Sequence, residues 1–215
     1  MKRIYLDHAA TTPMHEEVIE EMTKCMREVY GNPSSTHVFG REAKAKMELS
    51  RKKIADLLNV SPAEIIFTSC GTEANNLIIR SCVHYLGVER IISSELEHKC
   101  VKETSLEMSK AHGVELVYVK TNSMGEIDYQ DLEDKLKSSD KKTLVTLMHA
   151  NNEIGNLLDI NKVQQLCEEV GALFHSDTVQ TLGHYDMDFK EMKLDFASCS
   201  AHKFHGPKGI GFAYI

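Results

Sequence analysis

The 215-residue sequence predicts an α/β fold, a mostly parallel sheet flanked by helices. Three observations predict it. Short β-branched or aromatic runs alternate with helical stretches along most of the chain, the signature of βαβ units whose sheet is covered on both faces. Segments rich in Gly, Ser, Asn and His fall directly after these runs, where an open parallel sheet presents its ligand-binding edge. The composition, 42% hydrophobic and 27% charged, is that of an ordinary globular domain large enough to bury a substantial core.

The elements follow in order. Val18, Ile19, Met22 and Met26 recur at helical spacing within Glu16–Val29, and Gly31-Asn32-Pro33-Ser34-Ser35 ends that pattern as a loop. A second helix is predicted over Phe39–Leu58, rich in Ala, Lys, Glu and Met, and Ser61-Pro62 opens the next turn. Ile65-Ile66-Phe67-Thr68 reads as a strand, Gly71 as a tight turn, and the stretch to about Leu86 as a helix. The alternation continues with a strand at Arg90–Ser93, a helix at Lys99–Ala111 and a strand at Val114–Val119. A helix at Tyr129–Lys137, a strand at Thr143–Met148, a helix at Asn161–Val170 and a strand at Ala172–His175 come next. Asp195–Cys199 and Gly209–Ile215 form two final strands joined by a lysine-bearing loop. No internal repeat, low-complexity tract or linker divides the chain.

Bulk properties exclude several functions. The net charge of −7, from 25 basic and 32 acidic residues, gives no reason to expect nucleic acid or an anionic membrane as partner. No apolar run is long enough to span a bilayer, and Met1-Lys2-Arg3-Ile4-Tyr5-Leu6-Asp7 lacks the apolar core of a signal peptide. The six cysteines, at 25, 70, 82, 100, 167 and 199, form no C-x-x-C pair, so free thiols in a reducing cytoplasm are expected. His202 and His205 have no carboxylate or thiolate companions, and no metal site is expected.

The loops after the strands carry the chemistry. In Ser69-Cys70-Gly71-Thr72, Gly71 permits close backbone approach and Thr72 adds a hydroxyl near the free amides of a helix N-terminus, an arrangement that suits phosphate. Read alone, Thr72 could instead be a plain helix cap. Asp177, just beyond a strand ending in Phe174-His175, could keep a pyridine nitrogen protonated or could cap the next turn. Asn152 and Gln180 are uncharged donors that suit a phenolate oxygen. His98, at the start of a helix, could stack on a flat ring and move protons near neutral pH. Lys203 lies in Ser200-Ala201-His202-Lys203-Phe204-His205-Gly206-Pro207, and a lysine that forms a Schiff base must be partly desolvated or near other cations.

In this order and spacing the loops resemble the fold-type I pyridoxal-phosphate enzymes of aminotransferase class V, and more narrowly the group I cysteine desulfurases of the NifS/IscS type. The matching segments include Tyr5-Leu6-Asp7-His8-Ala9-Ala10-Thr11-Thr12-Pro13, Gly31–Ser35, Phe67-Thr68-Ser69, Thr72–Asn76, Glu97-His98, Met148–Gly155 and the lysine loop, and they cover essentially the whole chain. The resemblance implies pyridoxal 5'-phosphate as cofactor, bound covalently by Lys203, with Asp177 on the pyridine nitrogen. It implies Gln180 and Asn152 near the ring oxygen and substrate, His98 stacked on the ring and moving protons, and Gly71, Thr72, Ser200 and His202 around the phosphate. The implied reaction takes sulfur from L-cysteine, leaving alanine and an enzyme persulfide for iron–sulfur assembly or thio-cofactor and tRNA sulfur supply. The implied partners are a second copy of the chain and a sulfur-acceptor scaffold or carrier protein.

The pattern departs from the family at Asp7-His8, at Cys70 and at Thr178-Val179, none of which removes a group from this set. Length departs further. Residues 1–215 are expected to be an incomplete cofactor-binding large domain whose first 15 residues form an N-terminal arm. The C-terminal small domain, with the sulfur-accepting cysteine, is expected to be absent, and these residues alone are not expected to be competent. Two alternatives stay open: another class V lyase, such as a selenocysteine lyase, and an inactive truncated scaffold.

Overall fold

The computed structural model describes residues 3–215. Among the described residues seven α-helices and seven strands alternate: α1 Glu16–Glu28, α2 Val38–Leu58, β1 Ile65–Thr68, α3 Gly71–Leu86, β2 Arg90–Ser93, α4 Lys99–His112, β3 Glu115–Tyr118, α5 Tyr129–Lys137, β4 Thr143–Thr146, α6 Ile160–Val170, β5 Leu173–Asp177, α7 Phe189–Met192, β6 Phe196–Ser200 and β7 Gly211–Tyr214. The strands form one sheet in the order β1-β7-β6-β5-β4-β2-β3. The run from β6 to β3 is parallel, and β7 alone is antiparallel to both its neighbours, β1 and β6.

The sheet's period of two sorts its side chains into two cores. Ile91, Leu144, Phe196 and Ala213 face the layer containing Ile78, Ile79, Cys82, Val101 and Met108 of α3 and α4. Their neighbours Ile92, Val145, Ala197 and Phe212 face the opposite layer, with Leu58 of α2, Leu132 of α5 and Val163 of α6. Burial on both faces explains why the strands read as continuous apolar runs. α1 buries none of its residues.

Local signals account for the helix ends. Asp128, Asp159 and Asp188 cap the N-termini of α5, α6 and α7 by accepting backbone N–H groups. Gly87, Gly113 and Gly171 end α3, α4 and α6 in the left-handed conformation. Three sequence expectations are corrected. β5 runs on through Asp177, so this acid ends the strand and does not lie beyond it. The last strand begins at Gly211, and the four-residue α7, too short for periodicity to show, precedes β6. Thr72 is not the cap of α3, because Cys70 holds that position.

Register decides where the site forms. Thr68 of β1 and Ser200 of β6 both pair with Gly211 of β7, and Asp177 of β5 pairs with Ser198. The carboxyl ends of β1, β5 and β6 therefore meet at one sheet edge. At Gly211 a Cβ would lie 2.3 Å from the Cys199 carbonyl oxygen, so only glycine lets β7 enter between its neighbours here. Among the described residues no helix is long and apolar enough to cross a membrane.

Candidate active site

A cavity of about 360 Å³ opens at that edge, within the range of small-ligand sites. All nine residues singled out from the sequence line it: Gly71, Thr72, His98, Asn152, Asp177, Gln180, Ser200, His202 and Lys203. They come from five loops and strand ends spread over more than half of the chain.

Asp177 forms the floor, 6% exposed. One carboxylate oxygen accepts from the Val179 amide at 3.0 Å, and the other from Asn75 Nδ2 at 2.8 Å. Burial pushes its carboxyl above the ordinary range, against these two hydrogen bonds and the nearby His98. Among the described residues it has no cation within ion-pair distance. A buried carboxylate with two donors and no counter-charge fits a ligand that presents a protonated ring nitrogen.

The opposite requirement appears at the start of α3. Cys70 offers no side-chain cap to the helix amides. A Cβ on Gly71 would meet Val179 Cγ2 at 2.6 Å, so a bulkier residue cannot occupy this turn without displacing its neighbour. The Ser200 hydroxyl, 1% exposed, has no hydrogen-bond partner. Uncapped amides, the positive end of a helix dipole and an orphaned hydroxyl fit an anion such as phosphate. The Glu73 carboxylate is turned away, accepting from the Ser69 amide at 2.6 Å.

Lys203 sits in a single 3-10 turn directly after β6. Its ammonium donates to the carbonyl oxygens of Ala9 and Ala10. Burial lowers its pKa, while Asp177 and Asp7 pull the other way. The segment before α1 holds this loop from outside: Thr12 donates its amide to the His202 carbonyl at 2.9 Å and accepts from the His205 amide at 2.7 Å. His205 has a φ of 67°, a left-handed conformation uncommon for a non-glycine residue, and these bonds help to hold it. Burial lowers the pKa of His202, aided by the charges of Lys203 and Lys208, and its Nδ1 faces Thr11 Oγ1 at 3.1 Å.

His98 caps α4, its Nδ1 accepting from the Cys100 amide at 3.2 Å and facing Cys100 Sγ at 2.9 Å. Gln180 Nε2 donates to Ala9 O at 3.0 Å. Asn152 lines the cavity. Sequence reasoning missed Asn75 as a site residue. The signal was legible, since Asn75 shares the buried face of α3 with Ile78, Ile79 and Cys82 at i+3, i+4 and i+7, and a buried amide there needs a partner. The carbonyls of Ala9 and Ala10 carried no sequence signal. All six cysteines are free, and among the described residues no cluster could hold a metal ion.

Residues 4–215 match the aminotransferase class-V family. The chain is 43% identical to a cysteine desulfurase IscS of Dictyoglomus turgidum, covering 100% of this chain and 55% of that protein. It is 40% identical to a cysteine desulfurase IscS of Shewanella woodyi, covering 99% and 53%. It thus spans about half the length of the curated relatives it matches. Among solved structures, a NifS-like protein superposes with a TM-score of 0.92 at 42% identity, over 100% of this chain and 59% of that one. SspA, solved in complex with cysteine, superposes with a TM-score of 0.91 at 33% identity, over 99% and 61%.

Proposed function

The chain belongs to the aminotransferase class-V family, and from that premise we propose that its cavity holds pyridoxal 5'-phosphate in a cysteine desulfurase acting on L-cysteine. The observation that carries the reading is the pairing, in one cavity, of a buried and cation-free Asp177 with the burial-weakened ammonium of Lys203. The cysteine desulfurases among its relatives, and the complex of SspA with cysteine, support the choice of substrate.

When bound, the cofactor supplies an electron sink that eases bond breaking at an amino acid's α-carbon. This chain's residues do the rest. Asp177 would keep a proton on the ring nitrogen, and Asn75 and the Val179 amide hold its carboxylate in place. The start of α3 at Gly71 and Thr72, with Ser200 and His202, would bind the phosphate. Lys203 would exchange the Ala9 and Ala10 carbonyls for the cofactor, and the burial that lowers its pKa favours the neutral amine that such a bond needs. His98 would accept or donate a proton at the bound group, and Asn152 and Gln180 would orient the substrate side. In the overall reaction a cysteine thiol of the complete enzyme takes the substrate's sulfur as a persulfide, the substrate's C–S bond breaks and a proton replaces the sulfur to leave alanine; the persulfide sulfur then passes to a protein acceptor. A homodimer is proposed from the resemblance, and a reducing, cytoplasmic setting from the six unpaired thiols.

The test is spectroscopic and chemical. Protein incubated with pyridoxal phosphate should develop the visible absorbance of a lysine-linked cofactor, lost in Lys203→Ala, and the complete enzyme should release alanine from cysteine. A folded protein that does neither refutes the proposal.

A further inference from the structure

We propose that Glu97 is a positioning residue: with Asn151 it ties the loop that presents His98 to the loop that presents Asn152, and so sets the spacing of two groups across the cofactor cavity. The inference rests on the reading of that cavity given above. The β2–β4 ladder ends at Ile92 and Val145, and beyond it the two loops run free of the sheet. Among the described residues no backbone–backbone hydrogen bond joins residues 94–98 to residues 147–152. Two side chains make the connection. Glu97 Oε1 accepts from the Met148 amide at 2.7 Å, and Asn151 Nδ2 donates to the Leu96 carbonyl at 2.9 Å. Each tie lies next to a cavity residue, Glu97 beside His98 and Asn151 beside Asn152.

Glu97 is 6% exposed, and its second oxygen has no partner. Glu97 lines a separate chamber of about 350 Å³, which shares Met148 as a wall with the cofactor cavity. A buried acid with half of its hydrogen-bonding capacity unmet is a poor choice for stability. Local disadvantages of this kind gather where geometry serves function. Burial raises the carboxyl's pKa well above its usual range, against the Met148 hydrogen bond and the nearby Lys102, with Asp177 adding to the rise. Because the tie uses a single accepting oxygen, a neutral side chain that keeps that oxygen should do the same work.

The experiment compares Glu97→Ala, Glu97→Gln and Asn151→Ala by two kinds of readout. In cofactor-free protein, hydrogen exchange at the Met148 amide and the imidazole resonances of His98 report on the tie itself. In the holoenzyme, the pH midpoint of the cofactor absorbance and the split between kcat and KM report on its consequence. Glu97→Ala should speed Met148 exchange, shift the His98 resonances and the absorbance midpoint, and lower kcat roughly 10- to 100-fold with KM little changed, the scale of a misplaced catalytic group. Glu97→Gln should restore these values most of the way. Asn151→Ala should show the same pattern more weakly, and it keeps the test decisive if Glu97→Ala fails to fold. An alanine variant that changes only the melting temperature, or a glutamine variant as damaged as alanine, overturns the proposal. If wild-type protein takes up no cofactor the functional reading fails, while the exchange and His98 measurements still decide whether the tie exists.

Discussion

Replacing Asp177 with Asn separates what this residue does for the fold from what it does for the ligand, because the two effects have opposite signs. The variant keeps the shape of the side chain and an oxygen for the Val179 amide, but its new NH₂ faces Asn75 Nδ2, 2.8 Å away in the wild type. Asn75 can resolve the conflict by turning over, since its buried Oδ1 has no partner, at the loss of the bond from its Nδ2 to Cys100 Sγ at 3.3 Å. The fold should therefore tolerate the change. In the cofactor-free protein it should even gain stability at neutral pH. The folded-state pKa of Asp177 is raised, so its ionisation opposes folding once the pH passes the unfolded value of 3.8. That penalty disappears in the amide. Cofactor binding should move the other way, because the amide cannot act as counter-ion to a protonated ring nitrogen. A hydrogen bond to a charged group contributes about 1.5–3 kcal/mol, which corresponds to a roughly 10- to 150-fold weaker dissociation constant. Equilibrium fluorescence titration with pyridoxal phosphate measures the second effect, and thermal melting of the cofactor-free protein measures the first. Unchanged affinity, or a cofactor-free variant that melts below wild type, would refute the reasoning.

Three further outcomes follow from particular contacts. Gly71→Ala should destabilise the cofactor-free protein by about 1–3 kcal/mol in urea unfolding, the usual range for overpacking, because its Cβ would press on Val179 Cγ2 at 2.6 Å; an unchanged midpoint would show that Val179 yields freely. Iodoacetamide should label the half-exposed Cys70, whose thiol pKa burial raises but the neighbouring Glu73, Ser69 and Thr72 lower by more, well before Cys82, whose thiol burial raises to about 12; peptide mass spectrometry with and without pyridoxal phosphate should also show Cys70 protected by the cofactor. Burial lowers the pKa of His149 to about 4 and of His175 to about 3, so both stay neutral when folded, whereas the unfolded chain takes up protons below about 6.5. Stability should therefore fall as pH drops from 6.5 towards 4, and His175→Gln should flatten that slope in denaturant titrations.

Much of the site was legible because its chemistry sits in loops directly after apolar runs. A parallel sheet brings the carboxyl ends of its strands to one edge, so recognising βα alternation was enough to gather Cys70–Thr72, His98, Asn152, Asp177 and the Lys203 loop. What was missed involves partners far away along the chain. Asn75 meets Asp177 across 102 positions, and Lys203 meets Ala9 and Ala10 across more than 190. Glu97 reaches Met148 across 51.

The sequence by itself determined the local elements: hydrophobic periodicity, Asp caps and left-handed glycines act within a few residues, and each can be read in place. It also determined which loops bear reactive groups. Only the tertiary structure decided the strand order, with antiparallel β7 inserted between β1 and β6, and with it the alignment of Thr68 and Ser200 on either side of Gly211. The physical reason is that a strand's apolar pattern states which faces must be buried but not which neighbour buries them or at what register. Backbone pairing across the whole sheet settles that, and the same pairing leaves Asp177 without a counter-charge and sets Lys203 in the same cavity.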